Sequence, residues 1–480
     1  MINFKRILLR NYHFSQIVFK NLSWMIFASF IGKLFKFFLM VFLARSFTPS
    51  GFGDINYLIV LSAFCFSLSE IGLSMMINRE YHQENLPKER LISAGWMLKV
   101  LLVISNGLFC FFALFFVSKS LFLPFIFFSL MNALDSLKGY KIALARVENN
   151  QQYEAVCFIV ETFFTTIFAI GFVTYFKNIT SLSLAYFVGS LLSSIYIWRK
   201  TQWISRPFLQ AKKTDVMYLF KKILPFIFSS FLTIALVSVD TIMIKWLLDS
   251  TSLGYYQAGL KITDTVLVFP ALMITAVFPF ISKKSRQTDE LIRMGKSITS
   301  VLLMVSLPII FGGIYLAPGL ISGIFGTLYE SSTLVFQWLL IGTFPVFLLS
   351  YLNGVLLVIH KEVLSVMWSF IGFVLNVVLN FVFIQTYGIL GVALSTGISR
   401  GIQLIFVVFT IVFIFRHSMI HFGYLVKYLV MSILMIVGLS YVSLFISHVV
   451  GLIVIGMLIY FLMLFLTRDP LLSKLKENLF

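Results

Sequence analysis

Residues 449–467 read VVGLIVIGMLIYFLMLFLT, nineteen consecutive positions without a charge. Polar and apolar residues do not alternate along it, so it does not read as a membrane-barrel strand. About 20 apolar residues are needed for a helix to cross a bilayer core. Backbone groups in lipid must be satisfied within the segment, and a helix does that. Comparable runs occupy 17–43, 55–77, 91–117, 121–143, 155–176, 179–198, 223–248, 254–281, 294–317, 332–359, 363–385, 388–415 and 424–447. That makes about fourteen spans in 480 residues, of which 59% are hydrophobic and only 12% charged. A soluble chain carries about 25% charged residues. The fold class expected is an all-α polytopic membrane protein.

The Lys and Arg residues divide unevenly between the connectors. With the N-terminus inside, the inner set holds 28 of the 37, among them Lys138 and Lys141 at the inner end of the fourth segment and Arg146 after it. Outer connectors hold Arg45, Lys119, Lys177 and Lys245. The positive-inside bias then places both termini in the cytoplasm. Most of the net charge of +18 thus serves as topological anchoring, so nucleic acid is not an expected partner. No removable signal peptide is evident, because the first apolar run is too long for one. Cys65, Cys110 and Cys157 lie far apart in apolar stretches and read as small core residues. The six histidines form no metal-binding pattern, and no phosphate-binding glycine loop is present, so no metal or nucleotide cofactor is expected.

Five basic residues remain inside the segments: Lys33, Lys36, Lys99, Lys261 and Arg400. Five acids join them: Glu70, Asp135, Glu161, Asp240 and Asp264. Insertion scales put each at about 2.5–3.5 kcal/mol at helix centre, so ten facing lipid would cost about 25–35 kcal/mol. They are expected to face a protein interior or a watery cavity. Helical spacing agrees, since positions three, four and seven apart share a side. Ser29, Lys33 and Lys36 share one, as do Ser67, Glu70 and Ser74. Further stripes are Ser229, Thr233 and Asp240, then Gln257, Lys261 and Asp264, then Thr396, Ser399, Arg400 and Gln403. Lys33, Lys36, Lys261 and Arg400 are the candidate contacts for an anionic head group, which guanidinium and ammonium groups bind well in low dielectric. Glu70, Asp240 and Asp264 are the candidate ion-coupling acids. Lys99 and Glu161 read as snorkelling side chains, Asp135 with Lys138 as an interface pair, and Asn376 with Asn380 as polar contacts between helices.

The segments also repeat. FLARSFTPSGFGDIN after the first resembles MIKWLLDSTSLGYYQ after the seventh, and SLSLAYFVGSLLSS resembles GILGVALSTGISRG. Two parallel halves are expected, a transporter arrangement. The domains would be a six-helix bundle over 1–202, a basic linker over 203–222 and a second bundle over 223–416. Two extra helices and a tail would fill 417–480.

Five stretches carry a family resemblance: FLARSFTPSGFG (Phe42–Gly53), SEIGLSMMINRE (Ser69–Glu80), SVDTIMIKWLLDSTSLGYYQAGLKI (Ser238–Ile262), LISGIFGTLYESS (Leu320–Ser332) and NVVLNFVFIQTYGILGVALSTGISR (Asn376–Arg400). In this order they resemble Wzx-type polysaccharide flippases of the multidrug/oligosaccharidyl-lipid/polysaccharide exporter superfamily. The resemblance implies two pseudo-symmetric bundles in a V around a central cationic cavity. It implies translocation of an undecaprenyl-diphosphate-linked oligosaccharide for O-antigen, lipopolysaccharide or capsule assembly. The cycle would run on a proton or sodium gradient, by alternating access, in a monomer surrounded by membrane lipids. Polymerase and chain-length proteins of the same pathway would be its partners. A drug or cation exporter of the same superfamily would favour an acidic cavity. A membrane glycosyltransferase or polymerase would need larger charged outer loops than these, so the chain is not expected to be an enzyme.

Overall fold

The computed structural model describes residues 14–69, 73, 76–77, 80–81, 86–202, 211–284, 287–446, 448–467 and 469. Their regular structure is helical throughout. The chain forms two compact units, Met1–Ile242 and Met243–Phe480. The first holds α1 (Phe14–Ser46), α2 (Pro49–Phe66), α3 (Lys88–Ala113), α4 (Phe122–Val147), α5 (Gln151–Phe176) and α6 (Ile179–Lys200). Helix α7 (Lys213–Leu247) runs from the first unit into the second. The second continues with α8 (Ser250–Val266), α9 (Val268–Lys284), α10 (Thr288–Phe325), α11 (Ser332–Val358), α12 (Glu362–Tyr387), α13 (Ile389–Phe415), α14 (Phe422–Val442) and α15 (Val449–Leu466).

Thirteen helical spans among the described residues are long and apolar enough to cross a membrane. Helix α7 lies between the sixth and seventh and holds the apolar run expected as another. Helices α8 and α9 together are the single segment expected over 254–281. The break at Leu267 has a local cause: Pro270 has no N–H to give, and its ring crowds the carbonyl four residues earlier. The basic segment expected as a linker is helical from Lys213 onward, as the first turns of α7.

Many large apolar side chains face outward, and several charged and amide groups are buried. Phe111, Phe112, Phe115 and Phe116 are exposed in the first unit, as are Val450, Leu458, Phe461 and Phe465 of α15. Buried instead are Lys99, Lys138, Lys141, Asn376 and Asn380. In the second unit Leu302, Phe347, Tyr351 and Val355 pack with Tyr428, Met431 and Met435 of α14 and Tyr460 of α15. The Tyr460 hydroxyl donates to the Met304 carbonyl (2.9 Å), joining α15 to α10.

The repeat seen in sequence recurs in the corners. Thr48 caps α2 by accepting the Gly51 N–H, and Asp249 caps α8 by accepting the Ser252 N–H. The α4–α5 turn passes through Asn149 (φ 58°), with the Asn150 N–H donating to the Ala145 carbonyl. The α11–α12 turn passes through His360 (φ 59°), with the Lys361 N–H donating to the Leu356 carbonyl. Both are the same left-handed helix ending. Helix α6 packs on α4 and α5 as α13 packs on α11 and α12.

Candidate functional site

Two small-residue contacts build the polar interior of the first unit. Gly32 of α1 leaves room for the Phe158 ring of α5; a Cβ there would meet ring Cδ1 at 2.8 Å. One turn on, the Lys36 ammonium lies 5.0 Å from the centre of that ring. Gly189 of α6 lies against Thr165 of α5, where a Cβ would meet the threonine Cα at 3.0 Å. Close helix approach of this kind brings polar side chains of neighbouring helices within bonding distance. One turn from that contact, Ser193 and Glu161 face each other.

Lys138 of α4 lies among them. Its ammonium donates to Asp135 Oδ1 (2.6 Å), to Glu161 Oε2 and to Ser193 Oγ (3.1 Å). Ser190 Oγ donates to Asp135 Oδ1 (2.5 Å), and Ser193 Oγ lies 3.4 Å from Glu161 Oε2. The Lys138 side chain is 6% exposed, against 28% for Asp135 and 22% for Glu161. The positive charge of Lys36 also acts on the Glu161 carboxylate.

This cluster corrects two expectations. Lys138 and Lys141 are not connector anchors, because α4 continues to Val147 and keeps both inside the unit. Lys141 lies over the rings of both Trp96 and Trp198, 5.4 and 5.7 Å from their centres. Glu161 does not snorkel, because Lys138 holds it. Lys99 does not snorkel either: it is buried, and its ammonium donates to the Ser69 carbonyl, which ends the short 3₁₀ turn after α2. Helix C-terminal carbonyls attract cations in this way.

The sequence-selected residues fall as follows. Lys33 and Lys36 are exposed, one turn apart on α1. Asp240 is buried on α7. Glu70 lies outside the described residues. In the second unit Lys261 and Asp264 lie on α8 and Arg400 on α13. The charges of Lys261 and Arg400 both act on the Asp264 carboxylate, so these three form one group. Among the described residues, Lys33 and Arg400 have no hydrogen-bond or ion-pair partner. Asn376 Nδ2 donates to Thr396 Oγ1 (3.2 Å), Asn380 Nδ2 to Asn376 Oδ1 (3.3 Å) and Gln403 Nε2 to Ser369 Oγ (3.0 Å). These bonds run along the α12–α13 contact, as expected for polar contacts between helices.

The basic end of the first unit is tied by ion pairs. Arg90 binds Asp215 through two nitrogens (2.7 and 2.9 Å), and Lys222 pairs with Glu80 (2.6 Å). Tyr81 bonds Glu148, and burial, then that carboxylate, push its phenol up to about 12.

Thirteen long apolar helical spans among the described residues, with ion pairs buried between them, define the class of multi-pass helical membrane proteins. Residues 18–285 match the model of the polysaccharide biosynthesis protein family, and the chain belongs to that family. Residues 225–382 also match the model described as MatE. A probable low-salt glycan biosynthesis flippase, Agl15 of Haloferax volcanii, is 24% identical over 169 residues. That match covers 34% of this chain and 35% of the relative, about a third of its length. Among solved structures, the fold is that of a lipid II flippase, MurJ, in an inward closed conformation. The TM-score is 0.80 at 16% identity, over 93% of this chain and 99% of that one. An inward-facing multidrug resistance transporter of the MATE family gives a TM-score of 0.64 at 13% identity, over 78% and 92%.

Proposed function

We propose that the protein is a flippase. It turns an undecaprenyl-diphosphate-linked oligosaccharide from the cytoplasmic to the outer leaflet of the bacterial inner membrane by ion-coupled alternating access. The product supplies surface polysaccharide such as O-antigen or capsule. The observation that carries this reading is a pair of cations with no direct hydrogen bond or ion pair among the described residues, Lys33 in one unit and Arg400 in the other, in a family of polysaccharide biosynthesis proteins. A cation in a membrane span that no carboxylate binds directly is costly unless something else meets it. A diphosphate head group meets that need, by bidentate bonds to Arg and by point charge to Lys. Lys36 and Lys261 extend the cationic surface of the two units. Asp240, Asp264 and Glu70 remain the proposed coupling acids, driven by a proton or sodium gradient.

The reading is tested in cells. Lys33→Ala and Arg400→Ala are expected to abolish surface polysaccharide while membrane levels of the protein stay normal. Normal polysaccharide in both strains would sink the assignment. The MatE match over 225–382 supports a second reading, a drug or cation exporter. That reading predicts cation-resistance phenotypes and no polysaccharide defect.

A further inference from the structure

Helix α10 carries two prolines, Pro308 and Pro318, and stays helical through both. A proline has no N–H for the carbonyl four residues before it, so Met304 and Ile314 each keep an open acceptor. A side chain from a neighbouring helix meets each one. Gln337 Nε2 of α11 donates to the Ile314 carbonyl (3.0 Å). The Tyr460 hydroxyl of α15 donates to the Met304 carbonyl (2.9 Å). Unmet backbone carbonyls are costly inside a membrane, which gives both donors a defined task.

Helices α14 and α15 stand outside the repeat, and they fasten α10 on both sides of Pro308. Before it, Thr299 Oγ1 donates to the carbonyl of Met419, in the connector entering α14 (2.6 Å). After it, the Tyr315 and Ser443 hydroxyls share a hydrogen bond at the end of α14 (2.8 Å). At 1.5 Å per residue, Thr299 and Tyr315 lie about 24 Å apart along α10. Gly312 and Gly313 follow the proline by about a turn and add backbone freedom. Met435 of α14 fills the space beside Gly312, where a Cβ would meet its Cε at 3.2 Å. Helix α3 holds the place of α10 in the first half of the repeat and contains no proline.

We propose that α14 and α15 are a splint for the Pro308 joint of α10, with Tyr460 as its positioning residue. The splint holds the two arms of α10 at one angle, so that the second unit moves as one body. This goes beyond the flippase reading, which gives these two helices no task. Tyr460 acts through the Met304 carbonyl and not on the substrate. Its importance therefore depends on the proline. Pro308→Ala supplies the missing N–H to Met304, and Pro308 is only partly buried, so the exchange leaves no core cavity.

The test uses the full chain and these two positions singly and together. Amide hydrogen exchange is followed in detergent on peptides covering 304–316. Tyr460→Phe is expected to speed exchange there about five-fold, the factor for one net hydrogen bond. In the Pro308→Ala background the same change should have no effect. Ser443→Ala, which removes a bond away from the proline, should act equally in both backgrounds. No acceleration in Tyr460→Phe, or equal acceleration with and without Pro308, overturns the inference. Should Tyr460→Phe not fold, recovery of the fold in the double variant supports it, and failure to recover overturns it.

A second arm follows a labelled undecaprenyl-diphosphate oligosaccharide in proteoliposomes. Tyr460→Phe is expected to lose rate, and both Pro308→Ala and the double variant to match wild type. A folded Pro308→Ala that moves lipid more slowly than wild type overturns the inference, because the joint would then need to bend. This arm rests on the flippase reading and the exchange arm does not. Wild-type movement no faster than in empty vesicles contradicts that reading, and the exchange result then decides the splint by itself.

Discussion

At the scale of the residue, the interior charges divide into those the protein satisfies and those it leaves open. Lys99, Lys138 and Lys141 are spent on a carbonyl, on carboxylates and on indole rings. Among the described residues Lys33 and Arg400 make no direct hydrogen bond or ion pair, which is why they carry the functional reading. The distinction was half legible. Asp135 and Lys138 stand three apart, so their pairing can be read directly from the chain. Glu161, 23 residues from Lys138, joins them only through the packing of α4 on α5, which no local spacing reports. A second residue tests the corner geometry. Asp249 is held below the usual carboxylate range, first by the Ser252 backbone N–H. Its cap therefore contributes fully above the ordinary carboxylate pKa and is lost as pH falls through the lowered value. Asp249→Ala should cost about 0.5–2 kcal/mol, and Asp249→Ser distinctly less. Thermal unfolding in detergent should show the gap between Asp249→Ala and wild type narrowing as the solution is acidified.

At the scale of the element, helix contacts set the spacing of the polar clusters. Gly189 lets α6 touch α5 one turn from the Ser193–Glu161 pair. Gly189→Val should force the helices apart, with an overpacking cost of about 1–3 kcal/mol, read as a lower unfolding midpoint. Gly171 on the same α5 is exposed, with nothing within 4 Å of an added Cβ. Gly171→Ala should be neutral or raise the midpoint slightly, by up to about 1 kcal/mol of helix propensity. Equal effects at the two glycines would contradict the packing account. Hydropathy gave the spans themselves, because apolar runs this long admit little else. It did not give the break between α8 and α9. Pro270 interrupts backbone bonding without interrupting the apolar run, so the segment reads as continuous. The length of α4 was missed for the opposite reason. Its last turns are polar yet remain buried in the unit, and hydropathy trims them.

At the scale of the whole molecule, two repeated units of helices match the fold of flippase and multidrug-transporter structures at low identity. The repeat was legible in a few residues around Arg45 and Lys245, and the corners they flank are capped alike. Orientation is a separate matter, resting on the uneven Lys and Arg distribution. Reporter fusions should place Lys212 in the cytoplasm and Ser322 outside; the reverse result would overturn the orientation. Removing Lys138 and Lys141 from the anchors still leaves the basic excess on the same side, so that expectation is unchanged.

The most direct measurement is transport itself. Purified protein in proteoliposomes, given a labelled undecaprenyl-diphosphate oligosaccharide and an ion gradient, should move the lipid between leaflets. Lys33→Ala and Arg400→Ala should each slow that movement about tenfold or more, as the loss of one charge-assisted contact of roughly 1.5–3 kcal/mol requires. Wild-type movement no faster than in empty vesicles, or equal rates in wild type and both variants, would contradict the account.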